Sequence, residues 1–184
     1  MPDAVEQQVI EGLRARSPEA GRNLVRLYYQ SVYRFLAVLT CDSHRAEDLT
    51  QETFAAAWGH IESFSNESGL RTWLHRIAYR KFVDEFRRQK RLGTAMERLA
   101  RRDRPGGEGE PLDHLLADER VRELTAAMAR LSASDRVVLA GRYIEELTSA
   151  QLGELLNKPP ATVRTRIHKA LGRLRAMMNG QLES

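Results

Sequence analysis

Residues 147–170 read LTSAQLGELLNKPPATVRTRIHKA, with a short polar turn between two helical patterns. Thr148 and Ser149 are residue types that cap the start of a helix, and leucines follow them at helical spacing. The segment from Asn157 to Pro160 ends this first helix, and Thr162 begins a second one. Two short helices joined in this way predict a helix-turn-helix.

The second of these helices has one apolar face and one basic face. The apolar positions are Val163, Ile167, Ala170, Leu171 and Leu174. Residues 161–175 contain no acidic side chain, so the remaining surface can enter the major groove of DNA. The predicted DNA contacts are Arg164, Thr165, Arg166, His168 and Lys169. The alternative is a solvated basic face on an ordinary helical hairpin, but caps, turn and charge together favour DNA binding.

Upstream, residues 18–91 carry helical periodicity almost throughout and show no alternating strand pattern. The apolar positions of the first helix are Leu24, Leu27, Tyr28, Val32, Phe35, Leu36 and Leu39. A polar segment at 40–43 precedes a second helix, and a third helix starts near Arg71 and ends in a basic run at 87–91. The segment therefore predicts a helical domain over residues 18–91.

Between the two helical segments, residues 101–111 read RRDRPGGEGEP. Such a charged stretch with glycine and proline cannot bury apolar surface. We predict a flexible linker over residues 92–111 and a second helical domain over residues 112–178. The expected fold class is all-α, with two helical domains.

The composition limits the classes of partner and of site. Lys and Arg number 29 against 25 Asp and Glu, a formal net charge of +4 that favours a polyanionic partner. The single cysteine, Cys41, excludes an internal disulfide framework, and no zinc-type spacing accompanies it, so no metal and no cofactor is expected. No apolar run is long enough to span a membrane. We therefore expect a cytoplasmic protein without membrane insertion.

The motifs that would indicate an enzyme are missing from the sequence. It has no glycine-rich loop followed by Lys-Ser or Lys-Thr and no HExxH pair, and its five histidines are scattered among unrelated segments. His44 with Glu47 and Asp48 could be drawn as a metal site, although solvated residues at a helix start are far commoner. We predict that the chain is not an enzyme.

The C-terminal segment resembles a known DNA-binding domain. Residues 131–143, LSASDRVVLAGRY, together with the segments at 147–156 and 161–170, look like the C-terminal promoter-binding domain of sigma-70 family proteins. In that family the domain reads the minus-thirty-five promoter element. Because response-regulator output domains share this pattern, it leaves a simple DNA-binding activator open.

The N-terminal segment adds a second resemblance. Residues 46–58, AEDLTQETFAAAW, resemble the polymerase-binding helix of the same family. Asp48, Gln51 and Glu52 share one helical face at steps of three and four. The resemblance implies that this face docks on the clamp coiled coil of the largest polymerase subunit. A solvated helix face is the alternative for any one of these residues alone.

Residues 64–88, FSNESGLRTWLHRIAYRKFVDEFRR, are similar to the segment that opens and reads the minus-ten element. Single-stranded bases need a stacking surface and a cationic track, and this segment interleaves aromatic and basic side chains. We predict that Trp73 and Phe82 are core residues. The predicted minus-ten contacts are Ser65, Asn66, Glu67, Ser68, Arg76, Tyr79, Arg80 and Arg87. Where many relatives have Ile-Ala-Arg-Asn, this chain has IAYR at 77–80, so their minus-ten preference does not transfer.

Taken together, the chain resembles an extracytoplasmic-function (ECF) sigma factor of the sigma-70 family. The resemblance implies a protein that binds core RNA polymerase, through the clamp and the flap of the second-largest subunit, and directs promoter-specific transcription initiation. Promoter DNA is a further implied partner, and an anti-sigma factor is a candidate because the family commonly uses one. The competing interpretation is a DNA-binding regulator that never enters polymerase.

Overall fold

The computed structural model describes residues 4–65, 69–99 and 119–182, and it gives only the backbone for helix residues 89–99, 119–122 and 180–182. Within these ranges the regular structure is helical, without a strand. The helices form an N-terminal and a C-terminal bundle. The prediction of an all-α fold with two helical units is therefore confirmed.

The N-terminal bundle has α2 at its centre. Its helices are α1 (Ala4–Arg14), α2 (Pro18–Thr40), α3 (Ser43–His60) and α4 (Leu70–Leu99), with a 3₁₀ turn at Ile61–Ser63. Helix α2 packs against the other three helices. Most of its predicted apolar face is buried, but Leu27 remains 45% exposed. Asp42 caps α3 by accepting a hydrogen bond from the Arg45 amide at 3.0 Å.

Helix α1 lies before the residues from which the sequence predicted the first domain. Val9, Ile10 and Leu13 are buried against the rest of the bundle, and their i, i+1, i+4 spacing is the signal that could have revealed the helix. Glu6 on the same helix accepts a hydrogen bond from the Leu70 amide at 2.8 Å. Because that amide is unpaired within its own helix, α1 fixes the start of α4.

The C-terminal bundle is built around its last helix. It contains α5 (Glu119–Arg130), α6 (Ala133–Leu139), a π-helical turn at Ala140–Ile144, α7 (Ser149–Leu156) and α8 (Pro160–Leu182). Helix α8 packs against α5, α6 and α7. Ser132 caps α6 by accepting a hydrogen bond from the Asp135 amide at 3.2 Å.

Helix α4 extends further than predicted. It continues to Leu99, so residues 92–99 of the predicted linker are helical. These residues read LGTAMERL and consist largely of good helix formers, which the basic run before them obscured. The rest of the predicted linker, together with residues 112–118, lies outside the described residues. The remaining domain limits and the flexibility of the linker stay predictions.

The two bundles pack against each other. Helix α2 contacts α5, α6 and the π-helical turn, while α4 contacts α7. The helix predicted to meet the minus-ten element therefore lies beside the first helix of the helix-turn-helix. Sequence patterns gave two tethered domains but no interface between them.

Candidate polymerase and nucleic-acid interfaces

The helix-turn-helix has its cap at Thr148 and its turn at Asn157, as the sequence predicted, but α8 begins at Pro160 and not at the predicted Thr162. Thr148 and Gln151 form a reciprocal capping box: the Thr148 hydroxyl accepts from the Gln151 amide at 3.2 Å, and the Thr148 amide donates to Gln151 Oε1 at 2.8 Å. Asn157 ends α7 in the left-handed region at φ 51°. The Lys158 amide then donates to the Gly153 carbonyl at 2.9 Å. These local bonds set the angle between α7 and α8.

Helix α8 presents the predicted DNA-contacting face to solvent. Its inner face packs on α6 and α7 through Val163, Ile167, Ala170 and Leu174, all of them buried. Arg164, Thr165, His168 and Lys169 are exposed on the other side. The structure therefore brings these four predicted residues together on one open surface, with three basic or imidazole side chains around a short hydroxyl.

Arg166 differs from the other predicted contacts because it faces an acidic partner. Its Nε lies 3.5 Å from Oδ1 of Asp135, and Arg173 binds the other oxygen of the same carboxylate. Asp135 is only 1% exposed, whereas the Arg166 side chain is 48% exposed. The ion pairs hold α8 against α6. A DNA contact by Arg166 stays a prediction, and it would have to compete with Asp135.

The predicted minus-ten residues lie on and before α4, with different exposures. Ser65, Arg80 and Arg87 are exposed. Tyr79 is half-buried, and burial raises the pKa of its hydroxyl while the nearby Arg87 and Arg166 oppose the rise. Asn66, Glu67 and Ser68 fall outside the described residues.

Among the predicted minus-ten residues that the structure describes, Arg76 is held in an ion pair. Its Nη2 lies 3.1 Å from Oε2 of Glu154 on α7, and the Arg76 side chain is 30% exposed. Its Nε atom is buried without a hydrogen-bond partner within the described part of the chain. In this arrangement the C-terminal bundle occupies part of the predicted DNA surface.

Two aromatic residues of the same segment belong to the core, as predicted. Trp73 is 7% exposed and its ring lies 5.3 Å from that of Phe64, while Phe82 is 5% exposed. An edge of Trp73 also lines a groove of about 670 Å³ between α3 and α4. Arg80, Lys81 and Arg88 line the same groove together with the carboxylates of Glu52, Asp84 and Glu85, so its lining is of mixed charge.

The predicted polymerase-contacting face of α3 is open. Asp48, Gln51 and Glu52 are all exposed and lie on the side opposite the buried Leu49 and Thr53. The Glu52 carboxylate accepts a hydrogen bond from Lys81 Nζ on α4 at 3.1 Å. This pair links the acidic face of α3 to the charged lining of the neighbouring groove.

A buried polar cluster went unpredicted, because its members come from distant segments. His75 is fully buried, and its Nε2 lies 3.1 Å from Oε2 of Glu145, which is 2% exposed. His75 lies within residues 64–88, the segment that the sequence assigned to the minus-ten element. Nothing in the local pattern around Glu145 marks it as buried, so no sequence signal was available for this pair.

The described residues contain no group of three or more His, Cys, Asp or Glu side chains arranged to hold a metal ion. Cys41 is partly buried, and burial raises the pKa of its thiol even though Arg136 lies nearby and opposes the rise. That environment suits a packing residue better than a nucleophile. Across the described ranges, no helix is sufficiently long and apolar to cross a bilayer.

Comparison with known proteins identifies both bundles. The family model for Sigma-70 region 2 matches residues 24–92, and that for Sigma-70, region 4 matches residues 127–176. The ECF RNA polymerase sigma factor SigW of Bacillus subtilis is 30% identical over 178 residues, spanning 92% of this chain and 94% of that protein. The chain belongs to the ECF sigma factors of the sigma-70 family. It is therefore a transcription initiation factor that serves RNA polymerase at promoters.

Further relatives of this sigma factor agree in length and fold. SigM of Bacillus subtilis is 31% identical over 156 residues, spanning 85% of this chain and 93% of that protein. Among solved structures, the Bartonella quintana sigma factor RpoE in complex with the anti-sigma factor NepR gives a TM-score of 0.70 at 22% identity, covering 86% of this chain and 96% of that one. CnrH, solved with the cytosolic domain of CnrY, gives 0.69 at 21% identity, covering 96% and 98%. These structural likenesses establish the fold.

Proposed function

We propose that the exposed face of α8 reads the minus-thirty-five element in duplex DNA. The observation that carries this assignment is the division of α8 into a buried stripe and an open face bearing Arg164, Thr165, His168 and Lys169. Long cations on such a face reach guanine acceptors and phosphates, and the short Thr165 allows close approach to the base edges. Arg166 would contribute chiefly by fixing α8 on α6.

The surface of α4 and the loop before it is the proposed site for the melted minus-ten strand. Arg80 and Arg87 supply an exposed cationic track, and Tyr79 offers a half-buried ring beside it. This combination suits an unpaired strand, whose bases expose stacking faces and whose phosphates attract arginine. Ser65, Asn66, Glu67 and Ser68 would complete the site, and Arg76 would join it once released from Glu154.

The acidic face of α3 is the proposed contact with the polymerase clamp. Asp48, Gln51 and Glu52 are exposed on one side of a well-packed helix, so their geometry does not depend on a flexible loop. An acidic and amide face is complementary to a basic protein surface. The C-terminal bundle would engage the flap of the second-largest subunit, so that each bundle contacts a different part of the polymerase.

The proposed role is one of binding rather than catalysis, and it places the chain in the cytoplasm with the polymerase that it serves. An anti-sigma factor is a further proposed partner. The structurally similar sigma factor RpoE of Bartonella quintana was solved in complex with the anti-sigma factor NepR, and CnrH was solved with the cytosolic domain of CnrY. Their likeness in fold makes the same class of partner the first to test here.

A run-off transcription assay tests the proposal as a whole. Purified chain added to core polymerase should give specific initiation from a promoter fragment, and core alone should not. The assay is then repeated with Arg164→Ala and with the double variant Asp48→Lys with Glu52→Lys, which should each reduce the transcript. If the chain gives no specific product with core but footprints duplex DNA by itself, the polymerase-dependent role is wrong.

A further inference from the structure

Side chains from both bundles meet at Glu145, where the π-helical turn ends. This carboxylate is 2% exposed, and the side chains around it belong to the N-terminal bundle. Ser31 on α2 donates a hydrogen bond to Oε2. Arg71 Nη2 and His75 Nε2 on α4 lie 2.8 Å and 3.1 Å from the same oxygen. The partners of a buried charge in one bundle are therefore supplied by the other.

The position of His75 is fixed independently of Glu145. The His75 Nδ1 donates to the Arg71 carbonyl at 2.8 Å, and the ring stands edge-on to Phe35 at 5.0 Å between centroids. Its Nε2 is thereby directed at the carboxylate. Separation of the bundles would remove all of these partners from the Glu145 carboxylate together, and a charge that stays buried without a partner strongly destabilises a structure. The contact around Glu145 should consequently be made or broken as a unit.

A second row of contacts joins the same two helices further along. The Arg76 guanidinium is paired with Glu154 at 3.1 Å. The amide of Gln151 on α7 donates to Thr72 Oγ1 at 3.3 Å, and Thr72 is 2% exposed. The first two turns of α4 are thus in contact with α7 through Thr72 and Arg76. A DNA phosphate that binds Arg76 would have to displace the Glu154 carboxylate, because phosphate and carboxylate accept hydrogen bonds from the same guanidinium donors.

The interface between the two bundles is incompletely packed beside Glu145. A groove of about 520 Å³ runs between α2 and the C-terminal bundle, lined by Tyr33 and Val38 on one side and Met128 and Leu171 on the other. Tyr143 at its edge is 58% exposed. Interfaces that remain permanently closed are closely packed and largely apolar, like a core cut in half. The groove at this interface is also lined by apolar residues, but it is open and ion pairs lie beside it, so the interface lacks the close packing of a permanent one.

We propose that Glu145 and Glu154 form an interdomain latch, which holds the chain in a closed form and occupies cations on α4 that would otherwise meet DNA. The inhibition of DNA binding by this latch rests on the proposed function of α4. The closed form itself rests only on the contacts of Glu145 and Glu154. Opening replaces the contacts of both carboxylates with water and frees Arg71 and Arg76. The apparent affinity for single-stranded DNA is then reduced by the fraction of chains that are closed.

The test compares two charge reversals at adjacent residues of the full chain. Glu145→Lys places a cation against Arg71 and His75, whereas Glu146→Lys makes the same change in net charge at an exposed neighbour. Small-angle X-ray scattering should show a larger radius of gyration for Glu145→Lys only. An unchanged radius in a folded Glu145→Lys protein overturns the latch.

The same pair of variants measures the inhibitory effect. The probe is a pool of fluorescein-labelled single strands of random sequence, about 15 nucleotides long to match the size of a single-strand site. Glu145→Lys should bind about tenfold more tightly than Glu146→Lys, the factor expected if the open fraction rises from about a tenth to nearly all chains. Equal affinity of an open variant and its control overturns the inhibitory effect.

A variant on the N-terminal bundle keeps the latch testable if Glu145→Lys fails to fold. Ser31→Asp sets a second carboxylate against Glu145 from α2, and Gln30→Asp at the exposed neighbour is its control. Ser31→Asp should expand the chain, and compact scattering from both aspartate variants counts against the latch. The latch can hold even if α4 does not bind single-stranded DNA. In that case Arg80→Ala, added to Glu145→Lys, would leave the affinity for single strands unchanged, while the radius of gyration stays large.

Discussion

Gly153 faces the carbonyl oxygen of Lys158 across the turn between α7 and α8. A Cβ atom at residue 153 would stand 2.6 Å from that oxygen. Such a separation is well inside van der Waals contact, and the obstructing atom is backbone that cannot rotate away. The absence of a side chain at this position is what allows the two helices of the helix-turn-helix to approach.

Gly153→Ala should therefore destabilise the C-terminal bundle by about 1–3 kcal/mol, the usual range for overpacking a tight site. Thermal and urea unfolding followed by circular dichroism provide the measurement. Gly172→Ala on α8 is the matched control, since a Cβ there meets nothing within 4 Å. The control should gain about 0.5–1 kcal/mol from improved helix propensity. Equal stability of the two variants would show that the turn relaxes freely.

The acidic face of α3 should determine affinity for core polymerase. Asp48→Lys with Glu52→Lys should weaken binding at least about tenfold, or about 1.4 kcal/mol, because like charges are set against a basic partner. Folding should be largely retained, since both residues are exposed. Binding is measured by fluorescence titration of labelled core.

The control for this double variant is Glu19→Lys with Glu62→Lys. It makes the same change in net charge at two exposed residues of the same bundle. Each double variant also removes one ion pair, that of Glu52 with Lys81 or that of Glu62 with Arg16. The control should bind core like the wild type. Similar losses in both double variants would point to net charge instead of a docking face.

The exposed face of α8 should separate base readout from phosphate contact. Lys169→Ala should weaken binding to all duplexes alike and reduce the slope of log affinity against log salt by roughly one. Arg164→Ala should cost about 1–3 kcal/mol and relax the preference at one base pair. A binding selection on randomised minus-thirty-five sequences, at several salt concentrations, measures both effects.

Val163→Asp provides the structural contrast on the same helix. Its side chain is 1% exposed, so the variant places a charge in the core and should unfold the C-terminal bundle. The loss of DNA binding should then accompany a loss of helical signal. If Arg164→Ala and Lys169→Ala both leave affinity and preference intact in folded proteins, α8 is not the reading surface.

The closed form should respond to acid through Glu145. Burial of this carboxyl opposes its ionisation and raises its pKa. The opposing effects are larger, so the pKa lies below the ordinary 4.5: they are the hydrogen bonds from His75 and Ser31, the charge of His75 and the hydrogen bond from Arg71. A carboxyl whose pKa is lowered in the closed form stabilises that form fully at any pH above the ordinary pKa of the group. The stabilisation is lost as the pH falls through the lowered pKa. Scattering should therefore show expansion in that acidic range.

Glu145→Gln supplies the comparison for the acid response. It has no carboxyl to titrate at residue 145, so its radius of gyration should not change over that interval. Circular dichroism at each pH separates opening of the interface from unfolding of the bundles. Expansion of both proteins at the same pH would assign the transition to other groups.

The sequence by itself determined the helices and the chemistry of their faces. The Thr148 cap, the turn at Asn157 and the stripe containing Val163 are local patterns, because caps and helix faces depend on residues within about four positions of each other. The exposed positions of Arg164 and Asp48 followed from the same periodicity. Helix α1 carried a readable pattern as well, in the spacing of its buried residues.

Only the tertiary structure decided which of these faces are free. Ser31 and Glu145 are separated by 114 residues, and Arg76 and Glu154 by 78, so no local pattern links them. The pairing of Arg166 with Asp135 likewise depends on how α8 lies on α6. A side chain's type fixes what it can bind, but its burial and its partners depend on packing between distant segments, and that packing is what joins the two bundles in the closed form.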